Sequence, residues 1–146
     1  KNIISLKKVK KFDITIAIPV FNAGEDIENL VRSLFEAQKA RICLHVSDDD
    51  SSDQTKDILI RLKKEFNNLF LTFQPKNLGE VNNFYYLLEY EIKLDRSNYF
   101  CWLCQDDLRP PNALDRMKDY LDNNNHLIGI GSYVKRVDDA FQRLYR

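Results

Sequence analysis

The sequence predicts a doubly wound α/β domain built on a mostly parallel sheet. Three observations carry this. Short apolar, β-branched runs alternate with stretches whose apolar residues recur every three or four positions. The connections between them are short, as βαβ units require. The polar clusters all fall just after the apolar runs, where a sheet of this kind presents its ligand-binding loops.

Taken in order, residues 1–11 are basic and irregular and read as a linker or an outer helix ahead of a domain over residues 12–146. Phe12 to Ile18 alternates and forms the first strand, which Pro19 ends. Val20 to Gly24 is a turn. Ile27, Leu30, Val31, Leu34 and Phe35 mark one face of a helix over about Glu25 to Ala40. Glu25, Asp26 and Glu28 sit in its first turns, where the helix dipole favours anions. Ile42 to Ser47 is a second strand, followed by the acidic loop Asp48 to Thr55. Asp53 suits the N-cap of the next helix, whose buried face is Ile58, Leu59, Leu62 and Phe66. Leu69 to Phe73 is a third strand and Gln74 to Gly79 a loop. Val81, Phe84, Tyr85, Leu88 and Ile92 form the stripe expected to bury the third helix. Tyr99 to Leu103 is a fourth strand that ends in Asp106 and Asp107. Pro111 suits the first turn of a fourth helix, marked by Leu114, Met117 and Leu121. Leu127 to Tyr133 reads as a fifth strand.

The chain has 146 residues, enough for one sizeable core. Lys and Arg number 22 and so do Asp and Glu, so no global charge attracts nucleic acid or an anionic membrane. Hydrophobic residues make up 44%, which fits a globular domain rather than a disordered segment. No apolar run approaches the ~20 residues of a membrane span. The first residues lack an initiator Met and a signal-peptide core, so a piece of a longer protein is expected. Three cysteines, Cys43, Cys101 and Cys104, form no disulfide framework and argue for a reducing compartment. Cys101 and Cys104 stand roughly 10 Å apart in an extended strand, beyond disulfide reach. A cytoplasmic location follows, with any membrane association peripheral.

The chemistry concentrates at strand ends. Pro19 to Asn22, Asp48 to Asp50, Asn77 to Gly79, and Asp106 with Asp107 each follow a different strand. Each alone also fits a turn, a cap or a solvated loop; together they predict one polar rim. Two acids on a stiff strand suit a divalent cation that in turn holds phosphate oxygens. His45 and His126 have no triad partner. No Gly-rich phosphate loop is present, which argues against a P-loop nucleotidase and a dinucleotide dehydrogenase.

These stretches resemble family 2 glycosyltransferases, whose GT-A fold is a Rossmann-like nucleotide-binding sheet. Ile16-Ala-Ile-Pro-Val-Phe-Asn22 resembles their opening strand. Val46 to Thr55 is similar to their Asp-Asp-Gly-Ser-x-Asp-x-Thr motif, Asn77-Leu-Gly79 to their Asn-x-Gly loop, and Leu103 to Leu114 to the stretch carrying Asp-x-Asp. The resemblance implies that Pro19, Val20 and Phe21 lie near a nucleotide base, most often uridine. Asp49 would accept from base or ribose, with Asp48 supporting its loop. Asn77 and Gly79 would shape the pocket. Asp106 would bind Mg2+ or Mn2+ bridging the donor diphosphate, with Asp107 supporting it or facing the sugar.

What it implies overall is the donor half of a metal-dependent hexosyltransferase of polysaccharide biosynthesis. A sugar would pass from a nucleoside diphosphate sugar, most readily a UDP-sugar, to a hydroxyl of a glycan or other acceptor, with inversion. The acceptor half and the catalytic base are expected beyond residue 146. Two departures stand out: Asp50 replaces the Gly after the paired acids, and Cys104 replaces the first Asp of Asp-x-Asp. Cys104 also keeps open a non-catalytic nucleotide-sugar-binding or regulatory module. A receiver-type phosphoacceptor domain would need its acids after strands one and three, where Pro19 and Gln74-Pro75 stand instead.

Overall fold

Strands and helices alternate through the computed structural model, which describes residues 10–107 and 109–131. The elements are β1 (Phe12–Val20), α1 (Asp26–Ala37), β2 (Ile42–Asp48), α2 (Thr55–Glu65), β3 (Leu69–Phe73), α3 (Glu80–Leu94), β4 (Ser97–Trp102) and α4 (Ala113–Asp122). All strand pairs are parallel, in the order β3-β2-β1-β4. The chain moves outward from β1 through β2 to β3, then returns to place β4 on the other side of β1. The topological switch therefore lies at the carboxyl ends of β1 and β4. Among the described residues, no helix is long and apolar enough to cross a membrane.

Pro19 does not end β1, which continues through it to Val20 in register with Asp48. Proline lacks a donor and is ordinarily excluded from central strands. The geometry removes the cost. The carbonyl of Ala17 accepts from Leu103 N–H at 3.1 Å, so odd residues at this end of β1 address β4. The carbonyl of Val20 accepts from Asp49 N–H at 2.8 Å, so even residues address β2. Pro19 thus aims its nitrogen toward β4 just past the last paired residues, Ala17 and Trp102. No ladder bond is lost there.

The two faces of the sheet differ in kind. One carries Ile14, Ile16, Ile18 and Val20 of β1, Ile42, Leu44 and Val46 of β2, and Leu69 of β3. Ile27, Leu30, Val31 and Leu34 of α1 pack on it, with Ile58, Leu59 and Leu62 of α2 and Leu114 of α4. Each fully buried aliphatic side chain there contributes about 1.5–3 kcal/mol. Phe35 stacks on Phe66 at 4.5 Å between ring centroids and closes the α1–α2 seam.

The opposite face is polar at its centre, with Phe70, Phe100 and Trp102 on the flanking strands. It carries Thr15, His45, Ser47 and Thr72, and α3 covers it with Asn83, Leu87 and Glu91. This corrects the stripe expected to bury α3. Val81, Tyr85 and Ile92 are 64%, 62% and 68% exposed, and Phe84 and Leu88 are half-buried. The period was right, but the sheet face beneath the helix calls for hydrogen bonds, so the polar positions turn inward.

Other boundaries moved for local reasons. α1 stops at Ala37 rather than Ala40: the backbone turns extended at Gln38, and the Asp115 carboxylate accepts from the N–H groups of Lys39 and Ala40 in place of helical carbonyls. Gln54 rather than Asp53 is the N-cap of α2; Asp53 stands one residue earlier and accepts from Thr55 and Gly24 N–H. Asn112 rather than Pro111 precedes α4. The fifth strand is not formed over Leu127 to Gly131, where two glycines interrupt a short run; Ser132 and Tyr133 lie outside the described residues.

Candidate functional site

The loops after all four strands meet at one rim, as the strand-end pattern predicts. Three links tie them together. Asp49 N–H donates to Val20 O, joining the ends of β1 and β2. The Asp49 carboxylate joins the loops after β2 and β3: Leu78 N–H donates to one oxygen at 2.7 Å and Gly79 N–H to the other at 2.9 Å. The Gln105 amide joins the loops after β1 and β4: its Oε1 accepts from Phe21 N–H at 2.9 Å and its Nε2 donates to Phe21 O at 3.2 Å.

Each residue singled out from the sequence has a distinct place. Pro19 and Val20 are buried in the last turn of pairing, whereas Phe21 is 46% exposed at the mouth of the β1–β4 switch. Asp48 is buried and accepts from the N–H and hydroxyl of Ser51, which fixes its own loop. Asp49 is equally buried, and both its oxygens are engaged by the Leu78–Gly79 backbone. Any ligand contact to it uses a remaining lone pair, since a carboxylate offers about four acceptor positions. Asn77 donates to Asp49 O and accepts a second bond from Gly79 N–H. Gly79 has φ 82°, a conformation that favours glycine. Nothing lies within 4 Å of where a Cβ would stand, so backbone conformation, not space, selects glycine here.

Asp50 occupies the place where the resemblance expects glycine, and its φ is 64°. The loop thus keeps a left-handed turn with an aspartate in it, one of the few non-glycine residues that tolerate it. Asn22 across the rim is also left-handed, and its side-chain oxygen accepts from Ser52 N–H.

The acids after β4 divide in the same way. Asp107 folds its own turn, accepting from Cys104 N–H with one oxygen. Asp106 is exposed, and among the described residues nothing engages its carboxylate. Burial pushes the Cys104 thiol up, and the charges of Asp107, Asp106 and Glu80 add to this, while Arg109 opposes it. Cys104 therefore stays a thiol at neutral pH rather than offering a soft thiolate. Among the described residues there is no cluster of three or more His, Cys, Asp or Glu side chains able to hold a metal unaided. Hard carboxylate oxygens at a rim still fit Mg2+ or Mn2+ of the kind that completes its shell with phosphates and water.

Sequence reasoning missed Gln105. Gln105 occupies the variable position of the acidic motif, where no residue type is expected. Nothing local signals its role, because that role depends on Phe21, far back along the chain.

The comparisons with known proteins agree with the residue pattern. The family model for glycosyl transferase family 2 matches residues 15–146. A Haemophilus influenzae protein named as an uncharacterized glycosyltransferase is 23% identical over 124 residues, covering 85% of this chain and 37% of its own length. A Rickettsia typhi protein of the same description is 27% identical over 135 residues, covering 90% and 39%. The chain thus spans well under half the length of these curated relatives. Among solved structures, a mannosyltransferase from Pyrobaculum calidifontis in complex with GDP-Man and Mn2+ matches with a TM-score of 0.67 at 21% identity, covering 95% of this chain and 42% of that one. S. aureus TarS 1-349 in complex with UDP matches with a TM-score of 0.66 at 20% identity, covering 84% and 38%. These likenesses establish a GT-A type of fold. Fold and family model coincide over nearly the whole sequence, and the chain belongs to glycosyl transferase family 2.

Proposed function

We propose that this chain supplies the donor side of a glycosyl transfer, holding a nucleoside diphosphate sugar while an acceptor hydroxyl attacks the anomeric carbon with inversion. The observation that carries this reading is the rim itself. Phe21, the Asp49–Gly79 unit and Asp106, whose carboxylate no described residue engages, stand on the loops at the carboxyl ends of the strands, loops that Gln105 and Asp49 tie together. Phe21 offers an exposed aromatic face for a base. Asn77 and Gly79 shape the neighbouring wall. Asp106, with the second oxygen of Asp107, would hold Mg2+ or Mn2+, whose chemistry here is Lewis-acid stabilisation of charge on the leaving diphosphate. The named ligands of the similar structures, UDP, UDP-GlcNAc and GDP-Man with Mn2+, make a UDP-sugar the first donor to test and a GDP-sugar the second.

Titrating UDP into the chain by calorimetry, with and without Mn2+, tests the reading on wild type and Asp106→Asn. Mn2+-dependent binding that falls at least tenfold in the variant is expected. Binding indifferent to both Mn2+ and Asp106 refutes the metal part, and absence of binding to any nucleoside diphosphate refutes the donor part. Cys104 in place of an acid favours a second reading, a nucleotide-sugar-binding module without turnover. Sugar transfer by the longer polypeptide, lost with Asp106→Asn, would dismiss it.

A further inference from the structure

α3 is seated on the sheet by hydrogen bonds at both ends, by the buried Leu87 between them, and by edge contacts of Phe84 with Trp102 and of Tyr90 with His45. Near its start, Asn83 Nδ2 donates to Ser47 O at 2.9 Å. Leu87 is fully buried at mid-helix. Towards its end, the buried Glu91 carboxylate accepts from His45 Nδ1 at 2.6 Å and from Arg96 Nε and Nη2 at 2.9 and 2.7 Å. Facing a carboxylate, His45 Nδ1 is the donor. His45 Nε2 meets the Thr72 hydroxyl at 2.9 Å, and the Arg96 guanidinium lies 4.1 Å from the Phe70 ring centroid. One buried polar chain thus runs from Arg96 at the start of β4 through α3 and β2 to Thr72 of β3.

Nothing in the donor-side reading uses this chain. A buried ion pair is weak evidence for stability, because desolvation offsets most of its attraction; its best-attested use is fixing one arrangement among several. Here the competing arrangement is visible. The apolar stripe Val81, Tyr85, Leu88 and Ile92 lies to the β4 side of the helix, bordering shallow grooves with Trp102 and Phe100, about 130° around the axis from Asn83, Leu87 and Glu91 at ~100° per residue. Apolar burial alone would favour rolling α3 toward its stripe. The directional bonds of Glu91 and Asn83 oppose that roll.

The roll matters because α3 begins at the rim. Its N-cap is Gly79, and the N–H groups of Leu78 and Gly79 are those held by Asp49. Cα atoms ride about 2.3 Å from a helix axis. A roll of about 20° therefore moves Gly79 by roughly 0.8 Å, enough to take a 2.9 Å hydrogen bond out of range.

We propose that His45 and Glu91 are positioning residues for the Asn77–Gly79 loop: the buried Arg96–Glu91–His45–Thr72 chain sets the roll of α3 and so the register of the Leu78 and Gly79 amides on Asp49. That the loop serves a donor nucleotide rests on the function proposed above; the mechanical coupling does not.

The test compares Glu91→Gln and Thr72→Val with Leu114→Ala, a cavity on the opposite face chosen for a similar loss of thermal stability. Amide hydrogen exchange at Leu78 and Gly79 in the ligand-free chain is the primary readout, and UDP affinity with Mn2+ the second. Glu91→Gln is expected to speed exchange at both amides at least tenfold and to weaken UDP about tenfold. Thr72→Val, which removes one outer link and keeps the shape, should do the same by about threefold. Leu114→Ala should leave both readouts at the wild-type level. In an Asp49→Asn background, Glu91→Gln should add little, since both act on the same amides. Exchange at Gly79 that follows only the loss of stability, equal in Glu91→Gln and Leu114→Ala, overturns the proposal. If wild type binds no UDP while Gly79 exchange still responds to Glu91→Gln and Thr72→Val, the donor reading fails and the coupling stands.

Discussion

Three consecutive aspartates close β2 and open the loop after it, and substituting Asp49 and Asp50 one at a time should separate two different roles. Asp49 is 2% exposed, and its two oxygens accept from Leu78 and Gly79 N–H at 2.7 and 2.9 Å. Asp49→Asn keeps one acceptor and turns an NH2 group toward the other amide. A hydrogen bond to a charged group nets about 1.5–3 kcal/mol, and leaving a buried donor unmet costs about 1–3 kcal/mol. Gly79 N–H retains a second acceptor in Asn77 Oδ1 at 3.0 Å, which softens that second cost. The expected loss is about 2 kcal/mol, a sizeable share of the ~5–15 kcal/mol typical of a domain. It should lower Tm by roughly 5–10 °C. Asp50 is exposed and left-handed, so Asp50→Gly should be neutral or stabilise by up to about 1 kcal/mol. Urea unfolding followed by circular dichroism, at unchanged m value, measures both. Equal effects at the two positions, or a loss below about 0.5 kcal/mol for Asp49→Asn, would refute the assignment of Asp49 as the residue that folds the neighbouring loop.

Two further outcomes follow from packing and charge. Ile92→Ala should cost less than about 0.5 kcal/mol, because the side chain is 68% exposed, whereas Leu59→Ala should cost about 2–5 kcal/mol; similar costs in thermal unfolding would contradict the observed face of α3. Acid should destabilise the fold through Asp13, Asp122 and Asp53. Bonding to Arg41 lowers Asp13 and bonding to Lys118 and Tyr99 lowers Asp122; burial raises Asp53, but bonds from Thr55 and Gly24 outweigh it. Their folded values lie below the ordinary 3.8, so their contribution is complete above that value and is lost as pH falls through the folded values. Tm measured from pH about 5 down to about 2 should fall, and fall less steeply in Asp13→Asn.

The sequence disclosed what is encoded locally and concealed what depends on a distant partner. β1, β2 and β3 are legible because parallel strands covered on both faces read as continuous apolar or β-branched runs. The positions of the rim loops followed from those strands. The orientation of α3 did not, because periodicity shows that a helix has two faces and not which one meets the sheet. That choice was made by the His45 side chain and the Ser47 carbonyl, which bond Glu91 and Asn83 from a strand far from the helix in the chain. The end of α1 was equally hidden: Asp115, separated by 75 positions from Ala40, captures its amide. Within the site, the acids and Gly79 were found from their motif. The division of labour among them was not: among the described residues Asp48 accepts from the Ser51 N–H and hydroxyl, Asp49 from the Leu78 and Gly79 amides and Asp107 from the Cys104 amide, while nothing engages Asp106, and only the folded loops distinguish these cases.

Pro19 has a consequence beyond its own strand. Parallel strands tend to zip onward wherever donors and acceptors continue to face each other. At the end of β1 the next tooth on the β4 side is a ring carbon instead of an N–H. The seam between β1 and β4 therefore stops at Ala17 and Trp102, and the two chains part there, β1 toward Phe21 and β4 toward Asp106. An ordinary residue at this position would offer a hydrogen to the departing strand and invite the seam to close over the switch point. By withholding that hydrogen, one imino acid keeps the sheet open at the place where Gln105 reaches back to the Phe21 backbone and the two loops begin.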